Sequence, residues 1–206
     1  MCCRYYVEMS PELRPIIEEA NRSPLRDRMT AALGAPYVSS GEVFPGQIAP
    51  VIATSRRGAR AAFPMFWGFR TPGLRSLVLN ARVETAASRS LFRDSWASHR
   101  CVIPASWYLE WEHIPLPNGK KKTGPRYAIS PREAPRIFMA GLYRLENGYP
   151  SFVVLTREPA ENIRFIHDRM PLLLPESLVD PWICPDAAPE DLASHALTDV
   201  IWRPGA

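Results

Sequence analysis

The sequence predicts an α+β fold: a mainly antiparallel, strongly curved sheet or barrel-like β core with short peripheral helices. Three observations lead there. Segments with strand character outnumber helical ones, and many are joined by short turns. The 22 prolines are spread along the chain, so they punctuate many short elements and mark no single linker. No internal repeat or low-complexity stretch is visible. A chain of 206 residues suits one full core, and a single domain over 1–206 is expected.

Taken in order, residues 4–8 (RYYVE) suit a short strand. Pro11 to Ala20 reads as a helix, with Ser10 able to cap it and Glu12 in its first turn. A second short helix is expected to end near Gly34. Residues 41–53 read as a turn and a strand, followed by an arginine-rich hairpin tip around Gly58 and a strand over 61–69. Leu77 to Asn80 is a short buried strand, and Ser90 to Trp96 looks helical. The clearest strand region is 101–111 (CVIPASWYLEW). Alternation puts Trp107, Leu109 and Trp111 on one face, and Tyr108 and Glu110 on the other. A basic hairpin loop over 118–124 leads to strands at 126–129, 137–143 and 151–156. Pro159 to Arg169 reads as a helix in which Ile163 and His167 share a face. From Glu176 onward, short helices alternate with proline breaks.

Composition narrows the function classes. No run of about 18 apolar residues exists, so no membrane span is expected. No apolar h-region follows the first six residues, which therefore do not read as a signal peptide. The four cysteines (Cys2, Cys3, Cys101 and Cys184) form no CxxC pair, so neither zinc nor a disulfide framework is expected. A reduced, cytoplasmic setting follows as the expectation, with no metal and no cofactor. Lysine occurs only at Lys120, Lys121 and Lys122, so arginine supplies the rest of the 25 basic residues. Arginine forks onto phosphate and stacks on bases and aromatic rings.

The chemistry begins at Cys2. Removal of Met1 would leave an α-amine and a thiol on one residue. The α-amine has a pKa of about 7.7–8.0, so it is partly unprotonated and nucleophilic at neutral pH. It can form a Schiff base with an aldehyde, and the thiol can then close a five-membered thiazolidine. A carboxylate and an imidazole can supply the proton transfers, and a side-chain amide can orient the amine. Glu110, His167 and Asn80 are the candidates for those tasks. Singly each also has a plain reading. Asn80 could bond its own backbone, Glu110 could sit solvated on a sheet face, and His167 could be a satisfied, partly buried histidine. Asp168 and Arg169 could simply pair with neighbours.

Several motifs resemble the SRAP family, the SOS response-associated peptidases. They are Met1-Cys2-x-Arg4-Tyr5, Phe66-Trp67-Gly68, Asn80-Ala81-Arg82-Val83-Glu84-Thr85-Ala86, Trp107-Tyr108-Leu109-Glu110-Trp111 and His167-Asp168-Arg169-Met170-Pro171. The resemblance implies a protein that binds single-stranded DNA and crosslinks covalently to abasic sites through Cys2; a monomer in the cytoplasm, on the nucleoid when bound to DNA, is expected. It assigns Asn80 to orienting the amine, Glu110 to proton shuttling, and His167 to sugar-ring opening and reversal. It puts Arg4, Trp67, Arg82, Trp111 and Arg169 against DNA, with Trp67 stacking beside a bent strand. The family pattern has glycine where this chain has Cys3, whose thiol points either into the pocket or away from it.

Two other readings compete. A cysteine hydrolase of N-terminal-nucleophile type would use the Cys2 thiol with His167, and self-removal of Met1 would be its minimal form. A noncatalytic single-strand binder would use arginines and tryptophans alone.

Overall fold

Five strands pair in a ring in this computed structural model, which describes residues 3–134 and 136–205. The chain starts with β1 (Arg4–Val7) and two helices, α1 (Arg14–Asn21) and α2 (Leu25–Leu33). Then come β2 (Gly41–Val43), β3 (Ile48–Thr54), β4 (Arg60–Trp67), β5 (Asn80–Arg82), α3 (Val83–Ala86) and α4 (Arg93–Ser98). The long strands follow: β6 (Arg100–Ala105), β7 (Trp107–Pro115), β8 (Lys121–Pro131), β9 (Ile137–Glu146) and β10 (Tyr149–Arg157). The last part holds β11 (Met170–Pro171), β12 (Leu173–Leu174), α5 (Val179–Ile183), α6 (Pro189–Ser194) and β13 (Val200–Pro204).

Strands β10, β4, β3, β6 and β9 pair in sequence, and β9 pairs back onto β10, which closes the barrel. A second sheet runs β13-β8-β7-β1-β2. The expectation of a mainly antiparallel barrel-like core with short helices holds. The parallel exceptions are β4 and β5, both laid along β10.

Local chemistry explains the hairpins. Gly58, at φ 77°, turns the chain between β3 and β4. Asn147 and Gly148, at φ 51° and 82°, form the two-residue loop between β9 and β10, where two successive left-handed residues match the strand twist. Barrel strands bury both faces. Val51, Ala53, Cys101, Ile103, Met139, Phe152 and Val154 pack in one cluster with Tyr5, Tyr108 and Ile129 of the second sheet. Their alternate neighbours Ile52, Val102, Ala140, Val153 and Leu155 pack in another with Trp96 of α4 and Trp182 of α5. That is the two-residue period of a strand expressed as two cores.

Several sequence expectations need correction. Helix α1 begins at Arg14, after a turn in which the Arg14 amide donates to the Ser10 carbonyl at 2.9 Å. Regular pairing near Leu77–Asn80 starts only at Asn80; before it, Val78 makes a lone bridge to Phe69. The 101–111 region is two strands in different sheets, divided at Ser106. The Ser106 amide donates to Tyr6 carbonyl at 2.8 Å and its hydroxyl accepts from the Glu8 amide at 2.8 Å, which holds the crossing point. The lysine-rich run lies largely in β8. Residues 159–169 form no α-helix, only a 3₁₀ turn at Glu161–Ile163. The link must return so that β11 can pair with Thr156 and Arg157, and the His113 amide takes the Ile166 carbonyl at 2.9 Å. Strand β13 was not anticipated; it completes the second sheet by pairing with β8.

Candidate active site

Cys2 lies outside the described residues. The chain emerges from it along β7, with Arg4 opposite Leu109 and Tyr5 opposite Tyr108. Strand alternation puts the Cys3 side chain on the Tyr5 face, which is also the face of Tyr108 and Glu110. Burial pushes the Cys3 thiol above its ordinary pKa, and the nearby Glu110 charge pushes the same way. Cys3 therefore points into the site.

Glu110 is only 3% exposed. Its Oε1 accepts the Trp111 amide at 3.3 Å. Burial raises its pKa above the ordinary carboxylate range. The solvated reading of Glu110 is thereby excluded.

His167 is buried too. Its ring lies 4.2 Å, centroid to centroid, from that of His113 on β7. Two neighbours contest its Nδ1. The Arg169 amide donates to it at 3.0 Å, which requires a lone pair there. The Asp168 carboxylate lies 2.8 Å away, which requires a proton there. Burial lowers the His167 pKa to about 4, so the neutral ring holds at pH 7. Asp168 is exposed and can swing into solvent, whereas the amide is fixed by the backbone. The neutral ring thus accepts at Nδ1 and carries its proton on Nε2.

Asn80 opens β5, opposite Val154 of β10. Strand β10 also pairs with β11, just after His167, so the Asn80 and His167 segments flank one strand. Arg169 ties them together. Its two terminal nitrogens each lie 2.8 Å from a Glu84 oxygen, and it also donates to the Thr156 carbonyl at 2.7 Å.

The proposed DNA contacts divide. Arg4 and Trp111 lie on the outer face of the second sheet. The Arg4 guanidinium sits 4.9 Å from Trp111 and 4.6 Å from Phe44, and pairs with Glu42 at 3.1 Å. Arg82 is exposed. Two of the residues expected against DNA are engaged within the protein. Trp67 is 0% exposed and stacked against Phe152, with its indole N–H donating to Leu79 carbonyl at 3.3 Å; it has no face to offer a base. Arg169 spends its fork on Glu84, as the plain reading allowed, and its side chain is only 11% exposed. It clamps the two segments together.

His113 and Lys121 also border the site and were missed. Lys121 pairs with Asp168 at 3.7 Å. In a regular strand, Glu110 and His113 would face opposite ways. The irregularity between Trp111 and His113 resets the alternation and turns both inward.

The sequence model of the family described as SOS response associated peptidase (SRAP) matches residues 1–202. The chain belongs to the SRAP family. Among named relatives, abasic site processing protein YoaM of Bacillus subtilis is 32% identical over 172 residues, 78% of this chain and 73% of YoaM. Abasic site processing protein YedK of Escherichia coli is 29% identical over 153 residues, 68% of this chain and 66% of YedK. The match to YoqW of Bacillus subtilis covers 54% of that protein. A solved Bacteroides thetaiotaomicron protein superposes with a TM-score of 0.71 at 20% identity, over 98% of this chain and 91% of the other. A phage-related protein of Bordetella bronchiseptica gives 0.68 at 21%, over 99% and 94%. These two share the fold. Among the described residues, no helix is long and apolar enough to cross a membrane.

Proposed function

We propose that this SRAP protein captures abasic sites in single-stranded DNA as a covalent thiazolidine on Cys2, after Met1 is removed. The observation that carries the reading is the pairing of β1 with β7, which leads the chain start alongside the buried Glu110. The names of the relatives, abasic site processing proteins, support it.

The reaction runs as follows. His167 hydrogen-bonds from Nε2 to the sugar ring oxygen, and as the bond from that oxygen to the anomeric carbon breaks, the anomeric hydroxyl proton passes through water to it and leaves the open aldehyde. The Cys2 amine attacks the aldehyde carbon, oriented by the Asn80 amide. Glu110 moves the two amine protons in turn from nitrogen to the carbonyl oxygen, which leaves as water and gives the Schiff base. The Cys2 thiol adds to that carbon and its proton goes to the nitrogen. One water is lost overall. In this reading the protein works as a single domain over 1–206 and a monomer, in the cytoplasm or on the nucleoid, with no metal or cofactor.

A second reading rests on the family description as a peptidase. The Cys2 thiol, with His167, would hydrolyse an amide, and self-removal of Met1 would be the minimal case. Acylating the α-amine of Met1-free protein while sparing the thiol separates the two. Capture of an abasic oligonucleotide is lost under the first reading, while hydrolysis under the second is retained. Abasic capture by amine-blocked protein at the parent rate would remove the first reading. A noncatalytic binder would bind the oligonucleotide and form no adduct at all.

A further inference from the structure

The outer face of the second sheet carries arginines set over aromatic rings. Arg4 lies on Phe44 and Trp111, and Arg126 lies 5.9 Å from Trp111 on its other flank. Both share one carboxylate, Glu42, at 3.1 and 3.3 Å. Four residues along β7, about 13 Å at strand rise, a second cluster repeats the pattern. Tyr6 and Trp107 stack at 4.7 Å with an interplanar angle of 4°, and the Arg203 guanidinium lies 4.6 Å from Trp107. Arg203 comes from β13, two strands away, and has no acidic partner among the described residues. It is exposed. An open cavity of about 250 Å³ lies beside it, bordered by Trp107, Ser106, Ser130, Ile201 and Glu8.

A guanidinium resting its face on a ring keeps its N–H edge for an anion. At Arg4 and Arg126 that edge is partly taken by Glu42. At Arg203 it is open. A row of cations with aromatic rings between them is how single strands are held without sequence reading, through phosphate charge and ring contact. The row shares its strands with the site but lies on the other face of the sheet: Arg4 and Trp111 sit next in sequence to Tyr5 and Glu110, and alternation turns them outward.

We propose that this face, from Arg4 and Trp111 to the Tyr6–Trp107–Arg203 stack, carries the strand flanking the reactive nucleotide, with a phosphate of that strand on Arg203. The proposal rests on the single-strand reading of the site and extends it to a second contact about two β-strand turns of side chains away.

The test is equilibrium binding of undamaged oligothymidylates of increasing length, across a salt series, to the parent, Arg203→Ala and Arg203→Lys. Melting curves would check that the exposed substitutions leave the fold intact. The parent should gain affinity once the oligonucleotide is long enough to span both clusters. Arg203→Ala should lose that gain and lower the salt slope by about 0.7, one single-strand phosphate contact. Arg203→Lys should keep the slope. Long oligonucleotides bound by Arg203→Ala with the parent's affinity and slope would overturn the proposal. So would tighter binding of poly-glutamate than of oligothymidylate at Arg203, which would make the face a docking site for an acidic protein. Failure of the parent to bind any single strand, with or without an abasic site, would instead bring down the reading beneath it.

Discussion

Arg169 and Glu84 form a two-pronged ion pair, with each terminal guanidinium nitrogen 2.8 Å from a carboxylate oxygen. The pair joins the segment that bears His167 to α3, which follows Asn80 and Arg82 directly. It explains why two distant signatures, residues 80–86 and 167–171, keep company. A lysine cannot reproduce the fork. Because Glu84 is partly exposed, solvent screens the pair, and a coupling energy of about 1–2 kcal/mol is expected. Denaturant unfolding of Arg169→Lys, Glu84→Gln and the double variant measures it. Additive effects would mean the pair is not coupled.

Arg82 is exposed at the end of β5 and makes no ion pair among the described residues. Arg82→Ala should weaken binding to undamaged single strands and reduce the salt slope by about 0.7. An unchanged slope takes Arg82 off the DNA surface.

Cys3 points into the site beside Glu110, and its raised pKa keeps it a neutral thiol at pH 7. Its bulk therefore matters more than its nucleophilicity. With Met1 removed, Cys3→Gly should speed capture, and Cys3→Ser, of similar size, should leave it nearly unchanged. Time courses with the N-terminus verified by mass decide the matter. A slower Cys3→Gly protein would show that the thiol contributes to capture.

His167 shifts from an ordinary 6.5 to about 4. Between those values the unfolded chain binds the extra proton and the folded one does not. Stability therefore rises with pH through this window and is lost as pH falls from about 6.5 toward 4, by on the order of 2–3 kcal/mol. His113, Lys121 and Asp168 border the ring, and pairing with Asp168 offsets part of the loss on protonation. His167→Gln should flatten the acid limb of unfolding free energy against pH. An identical limb would show that other groups set it.

Much of the fold was legible because its turns are local. Gly58 and the arginines around it announce the β3–β4 hairpin, and Gly34 ends α2 where expected. The two-core barrel follows from runs such as 48–53 and 101–105, apolar at every position and so buried on both faces. What escaped depends on distant partners. Strand β13 exists because β8 accepts it. Residues 159–169 have helical spacing, yet β11 and His113 pull them out of a helix. Arg100, the first residue of β6, is 1% exposed and donates to the carbonyls of Trp96, Ala97, Trp182, Cys184 and Ala187. No local pattern announces such a hub. Of the candidate site residues, Glu110 and His167 were read from residue type and motif. His113 was hidden by strand parity, which the irregularity after Trp111 reverses. Trp67 misled because its motif is sound but its ring is core.

The central claim is covalent capture through the Cys2 amine and thiol with loss of one water. Intact mass of Met1-free protein, after incubation with a single-stranded oligonucleotide bearing one abasic site, tests it most directly. The account predicts a heat-stable species at the mass of protein plus oligonucleotide less one water, absent with Cys2→Ala. Only the two unreacted masses, or an equally stable adduct on Cys2→Ala, would contradict it.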